Sequence, residues 1–195
     1  MNYLSTIINF APKIILGFLG FVFLLGFSRY LSRRQSGFKS LIVVAAAIRI
    51  FYAVFQTAAQ YYAWSQDALA KLLLNSPRYF WFYAYGRFWL NAFIAIGVAF
   101  AFYLFLKFLK KRQDRFFEEG ETELGFLAAL FVGWPNFVIF VPLVFVSVVL
   151  VSVFRGIVLK EAYTTLGWPF LLAVILTLIW GSRLIQIFHL GVLRI

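Results

Sequence analysis

Apolar residues in this chain come in windows of about 20, enough for a helix rising about 1.5 Å per residue to cross about 30 Å of hydrocarbon. Leu41 to Ile48 is an unbroken stretch inside one such window, and the run from Phe126 to Phe154 is longer still. No small water-soluble core could hide them all. Of 195 residues, 64% are hydrophobic and 13% charged, where a soluble domain has about one-quarter charged. A core of this size leaves much of its surface wet, so the bilayer must be the solvent. The expectation is an all-α polytopic membrane protein of five or six transmembrane helices, with residues 1–195 forming one integral membrane domain.

The formal net charge of +11 would raise nucleic acid as a partner in a soluble protein. Here the basic residues fall between apolar windows, as when positive loops stay on the cytoplasmic side against anionic headgroups. The expected partners are the lipid bilayer and its anionic headgroups, and no nucleic acid. The absence of cysteine removes disulfides, thiolate metal sites and cysteine nucleophiles. The only histidine, His189, cannot build a zinc site alone, and an interfacial or core role is expected for it. No metal or cofactor is expected. The Ile14 to Phe27 run follows only Lys13 and lacks a small-x-small cleavage site, so it is read as a retained span rather than a signal peptide.

The spacing predicts a first span over Ile8 to Phe27, with Pro12 near its first turn and Gly17, Gly20 and Gly26 available for close helix approach. Arg29, Arg33, Arg34 and Lys39 form a basic loop. A second span covers Ser40 to Tyr62, ending in the aromatic residues Tyr61, Tyr62 and Trp64. Ala68, Leu69, Leu72 and Leu73 suggest a short amphipathic surface helix ended by Pro77. Tyr79 to Trp89 is dense in aromatics, as at headgroup depth, and a third span runs from Phe88 to Phe108 into Lys107, Lys110, Lys111, Arg112 and Arg115. Gly133-Trp134-Pro135-Asn136 interrupts the next window. Either one kinked helix passes through it, giving five spans, or a short span Glu123 to Gly133 turns and Phe137 to Phe154 returns, giving six. The second is favoured because Trp-Pro-Asn suits an interfacial turn. The last span is Leu166 to Phe188. Positive-inside counting places the N-terminus outside a cytoplasmic (inner) membrane.

Three polar groupings stand out. Arg49, Tyr52, Gln56 and Gln60 recur at intervals of three and four, a polar stripe in a span, where a central Arg costs about 2.5 to 3.5 kcal/mol on insertion scales. It must face other helices or water, either as interhelical glue or as a ligand or ion path. Arg87 and Asn91 form a similar pair near an interface, where snorkelling is cheap. Asp114, Glu118, Glu119, Glu121 and Glu123 cluster before an apolar helix from Leu124 to Val132, whose N-terminal dipole favours carboxylates. Glu121 and Glu123 are the candidate acid/base residues, should this be a catalytic site.

The stretch Glu118-Glu119-Gly120-Glu121, followed by Leu124-Gly125-Phe126-Leu127-Ala128-Ala129-Leu130, Gly133-Trp134-Pro135 and Gly167-Trp168-Pro169-Phe170, resembles the C-terminal half of type IV prepilin peptidases. These are membrane aspartyl proteases in which a Gly-x-Gly-Asp motif opens an apolar helix. The resemblance covers residues 118–188 and implies pilus or secretion membrane proteins as partners. Glu121 stands where the family has its aspartate, and Glu118 where it has the first glycine. An aspartyl dyad needs two carboxylates sharing a proton. The first basic loop offers no acid, Asp67 falls at the opposite face, and a Glu side chain shifts the oxygens by more than about the 0.5 Å a preorganised site tolerates. The implied function is a non-catalytic peptidase-like scaffold. The alternatives are a small transporter or channel subunit using the Arg49 stripe, and a lipid-modifying enzyme acting through Glu121 and Glu123.

Overall fold

The computed structural model describes residues 3–32, 37–74, 76–112, 117–160 and 165–193. Arg33, Arg34, Asp114, Arg115 and Arg194 lie outside the described residues. The fold is all-α, with no strand among the described residues. The long helices are α1 (Tyr3–Leu31) and α2 (Phe38–Gln66), the composite of α4 (Pro77–Ala84), a π-helical segment (Tyr85–Trp89) and α5 (Leu90–Arg112), then α7 (Phe137–Phe154) and α8 (Gly167–Ile187). Between them lie the short α3 (Ala68–Leu74) and α6 (Glu121–Val132), and a 3-10 turn (Leu190–Leu193) comes after α8.

Five helical stretches are long and apolar enough to cross a membrane: Phe10–Leu31, Phe38–Gln66, Pro77–Arg112, Phe137–Val158 and Gly167–Ile187. Their outer faces are as greasy as their cores. Phe82 is 81% exposed and Ile157 75% exposed, which only lipid contact makes tolerable.

α6 is different. Its 12 residues span about 18 Å, well short of about 30 Å of hydrocarbon. All but Glu123 are buried, because α6 is the central element, packed against α1, α2, α5 and α8. Leu124, Leu127 and Leu130 are at most 2% exposed. Across the α1 contact, Gly20 and Gly26 leave room for Phe131 and Leu127, which would lie 3.1 and 2.7 Å from a Cβ there; Gly17 faces open space instead.

Two hydrogen bonds fix the direction of the second half. The Gly167 N–H at the start of α8 donates to the Glu121 Oε1 at the start of α6, so these two helices begin at the same end of the bundle. The Trp134 Nε1 donates to the Leu193 carbonyl just past α8, so the turn after α6 lies toward the other end. α6 therefore enters the bundle, turns at Gly133 to Asn136, and α7 returns. A kinked single helix from Phe126 to Phe154 would carry Gly167 to the opposite end from Glu121 and is ruled out. The six-span reading has the right direction of travel, but its Glu123 to Gly133 segment is too short to be a span.

Other expectations need adjustment. α1 begins at Tyr3, so Pro12 lies inside the helix, as is tolerated where neighbouring groups serve the freed carbonyl. Pro77 does not end the surface helix, which stops at Leu74; it opens α4 at its first turn, where no N–H is missed. The aromatic Tyr79 to Trp89 stretch is helical and continues through the π segment into α5 as one 36-residue helix, about 54 Å long, so the helix of the third span begins well before Phe88. Trp64 of α2 packs there against the rings of Tyr79, Phe80 and Tyr83, the amphipathic rings found at membrane boundaries. His189 is exposed beyond α8, with φ of 53°, so it has no core role.

The chain has no native cysteine, so single-cysteine labelling is clean. In membrane vesicles Lys111→Cys and Lys160→Cys should react with an impermeant maleimide from one side, and Lys71→Cys and Gly191→Cys from the other. Labelling of positions 111 and 160 from opposite sides would refute the α6–α7 turn.

Candidate functional site

α6 carries a polar site at each end. At its C-terminus the last turn leaves carbonyls without intrahelical partners, and this end lies within the bundle. Arg49 of α2 supplies the missing donors. Its Nε and Nη2 donate to the Leu130 carbonyl at 3.2 and 2.7 Å, and Nη2 also donates to the Phe131 carbonyl at 3.1 Å. The guanidinium thus caps the helix and sits at the negative end of its dipole. Gly133, the C-cap, has φ 67° and ψ 175°, a region essentially reserved for glycine. A Cβ at Gly133 would also run into the Arg49 guanidinium.

Beside this cap opens a cavity of about 510 Å³. Arg49, Tyr52 and Gln56 line it from α2, and Arg87 and Asn91 from the π segment and α5. Asn136 and Trp134 of the turn and Ser182 of α8 complete its polar wall. Two of the three polar groupings legible in the sequence, all but Gln60, therefore share one cavity. Gln60, one turn further along α2 than Gln56, is not among its lining residues. The π segment is held to α2 by the Trp89 Nε1, which donates to Thr57 Oγ1 at 3.2 Å.

At the N-terminus of α6, Glu121 is fully buried. Its Oε1 accepts from the Gly167 N–H at 3.1 Å and lies 3.2 Å from the Tyr30 hydroxyl, while Oε2 accepts from the Glu118 N–H at 3.0 Å. The same hydroxyl lies 3.0 Å from Glu118 Oε2. A Cβ at Gly167 would overlap the Tyr30 ring, so glycine there lets the phenol and the α8 N–H reach the carboxylate together. Glu123, the other acid/base candidate, accepts from Thr122 Oγ1 at 2.7 Å and lies two residues on, about 200° around the helix. The structure brings Glu121 together with Glu118 and Tyr30, not with Glu123. The Tyr30 partnership, 88 and 91 residues away, left no local trace in the sequence.

Burial pushes the Glu121 carboxyl up to about 7 from 4.5, against the pull of its hydrogen bonds from Glu118, Gly167 and Tyr30. Geometry agrees with a retained proton. The Tyr30 hydroxyl has one hydrogen for two carboxylates, so both contacts are satisfied when a carboxyl itself donates to the phenol. Such a site binds and orients helix ends; the buried carboxyl has no open face for a substrate.

Arg49→Met should lower the melting temperature in detergent by roughly 5–10 °C, as expected for losing charge-assisted bonds worth about 1.5–3 kcal/mol. Arg49→Lys should recover part of it, because one ammonium can serve one carbonyl. Gly133→Ala should also destabilise, yet the Arg49→Met/Gly133→Ala double variant should lose less than the two single losses added, since removing the guanidinium makes room for the methyl. Additive losses would show that the contact is not formed.

The Glu121 proton gives a second test. Its native value of about 7 exceeds the ordinary 4.5, so the folded chain keeps a proton that the unfolded chain releases. The resulting stabilisation is complete below pH 4.5 and is lost as pH rises through about 7. Melting temperature should fall between pH 5 and pH 8, and Glu121→Gln, neutral throughout, should flatten that fall. An equal slope in the variant would assign the proton elsewhere. The chain matches no protein-family model, no curated protein and no solved structure.

Proposed function

We propose that this chain is a multi-pass membrane protein that keeps a prepilin-peptidase-like frame without peptidase chemistry and acts as a scaffold for pilus or secretion membrane proteins. The observation that carries the non-catalytic half is the enclosure of Glu121, fully buried with both carboxylate oxygens engaged by Gly167, Tyr30 and Glu118. An aspartyl-type hydrolysis needs two carboxylates on one water and one substrate carbonyl. Here a phenol stands between Glu118 and Glu121, and the carboxyl ties the ends of α1, α6 and α8 together instead. The helix order and the Gly120, Gly133-Trp134-Pro135 and Gly167-Trp168-Pro169-Phe170 positions support the likeness of frame.

The orientation belongs to the same reading. Lys39, Lys107, Lys110, Lys111, Arg112, Arg155 and Lys160 gather toward the end where α6 and α8 begin, which the positive-inside rule makes cytoplasmic. The cavity then opens toward the outer leaflet, and both termini of the described chain are outside. The alternative of a small transporter or channel subunit draws on that cavity, in which Arg49, Tyr52 and Gln56 all take part, but buried apolar residues of α6 separate the cavity from the other end of the bundle.

Purified protein incubated with a matched prepilin should give no cleavage over the pH range 5 to 8. Cleavage that Glu121→Gln abolishes would overturn the non-catalytic assignment.

A further inference from the structure

The cavity beside Arg49 has an unusual balance of charge. Arg49 and Arg87 both line it, and no Asp or Glu does among the described residues. Arg49 is partly neutralised by the carbonyls it caps, since a helix C-terminus carries about half a negative charge. Arg87 faces no such end and is exposed. Roughly one and a half positive charges therefore border a polar concavity, and that of the part-buried Arg49 counts for more than it would in water.

Ala53, Phe88, Ala92 and Pro135 make the wall apolar in part, and its remaining polar groups are hydrogen-bond donors or can serve as donors. Tyr52 and Ser182 offer hydroxyls, and Gln56, Asn91 and Asn136 offer amides. Trp134 is already committed to the Leu193 carbonyl. A tetrahedral oxyanion is the ligand that uses such a set: the Arg87 fork takes two oxygens, and neutral donors take the rest. The volume, about 510 Å³, lies within the usual range for small-ligand sites and exceeds what a bare halide would need.

Arg87 sits inside the π-helical segment Tyr85–Trp89. The wider turn there rotates α5 about its axis relative to α4, and such bulges recur at functional sites. The Trp89 to Thr57 bond fixes the segment against α2, so Arg87 and Asn91 are presented by a braced helix rather than a loop.

We propose that this cavity binds a phosphate-class oxyanion, with Arg87 as the principal ligand and Asn91 as a supporting donor, beside the Arg49-capped end of α6. The phosphate is that of a lipid headgroup entering from the surrounding leaflet or of a small soluble phosphate. The site is independent of the peptidase-like reading.

The test uses the full chain in neutral detergent, with thermal shift as readout. Sodium phosphate is compared with sodium chloride at equal ionic strength, and dihexanoyl phosphatidylglycerol with dihexanoylglycerol, which lacks the phosphate. The phosphate-bearing probes should raise the melting temperature saturably. Arg87→Gln should raise the half-saturating concentration about tenfold or more, the loss expected for one charge-assisted contact, and Asn91→Leu should raise it by a smaller factor. A response to both probes establishes the phosphate group as the recognised feature. A response to the lipid alone makes the headgroup the ligand, and one to inorganic phosphate alone makes it a soluble anion. No saturable response, or one that neither variant alters, overturns the proposal.

Discussion

A helix that stops inside a membrane protein has to do something with its last carbonyls, and the distinctive features of this fold depend on how that is done. Water cannot serve them in hydrocarbon, and each unsatisfied group costs several kcal/mol. Arg49 meets the need from a neighbouring helix, with bonds of 2.7 to 3.2 Å to two carbonyls. In doing so it turns an expensive intramembrane cation into one that is largely solvated by backbone. The cation and the helix end each remove the other's cost. Gly133 completes the arrangement, because only a residue without Cβ can turn the chain at that φ and leave space for the guanidinium.

The opposite end of α6 is secured by an acid. Glu121 sits where the N-terminal dipole favours negative charge, although its burial holds back ionisation. Its hydrogen bonds reach α1 through Tyr30 and α8 through Gly167. Helix α6 is thus fastened at one end to α2 and at the other to α1 and α8. Apolar packing fills the interval, with Leu127 against the Gly26 face of α1 and Phe170 of α8 3.1 Å from where a Cβ on Gly125 would stand. Polar anchoring sets position, and apolar contact supplies most of the burial.

The spans were legible because their signal is local: a window of apolar residues states its own solvent. The break at Gly133 to Asn136 was legible for the same reason, through its turn chemistry. That α6 is a half-length helix was not. Leu124 to Val132 is apolar on every side, and a segment enclosed by protein and one facing lipid have the same composition. The Arg49 cap was hidden for another reason. Its acceptors are backbone carbonyls of Leu130 and Phe131, and a carbonyl leaves no mark on residue identity. The helical spacing correctly put Arg49, Tyr52 and Gln56 on one face. It could not say where the cavity ends, so Gln60 looked equivalent. Glu118 and Glu121 were visible as acids, but their link through Tyr30 depends on how α1 returns to the start of α6.

These two anchors also bear on whether anything could pass through the molecule. The Arg49 cavity lies at one end of α6 and the Glu121 cluster at the other, separated by about 18 Å of helix. Between them Leu124, Leu127, Leu130 and Phe131 are at most 8% exposed, so the polar regions are separated by a packed apolar plug. A solute in the cavity would meet that plug rather than a path. To open one, α6 would have to slide or tilt, and such movement would break the Arg49 bonds to Leu130 and Phe131. The cap that allows α6 to end inside the bundle is therefore also what keeps the bundle closed, and a ligand beside Arg87 would sit in a blind site, bound rather than conducted.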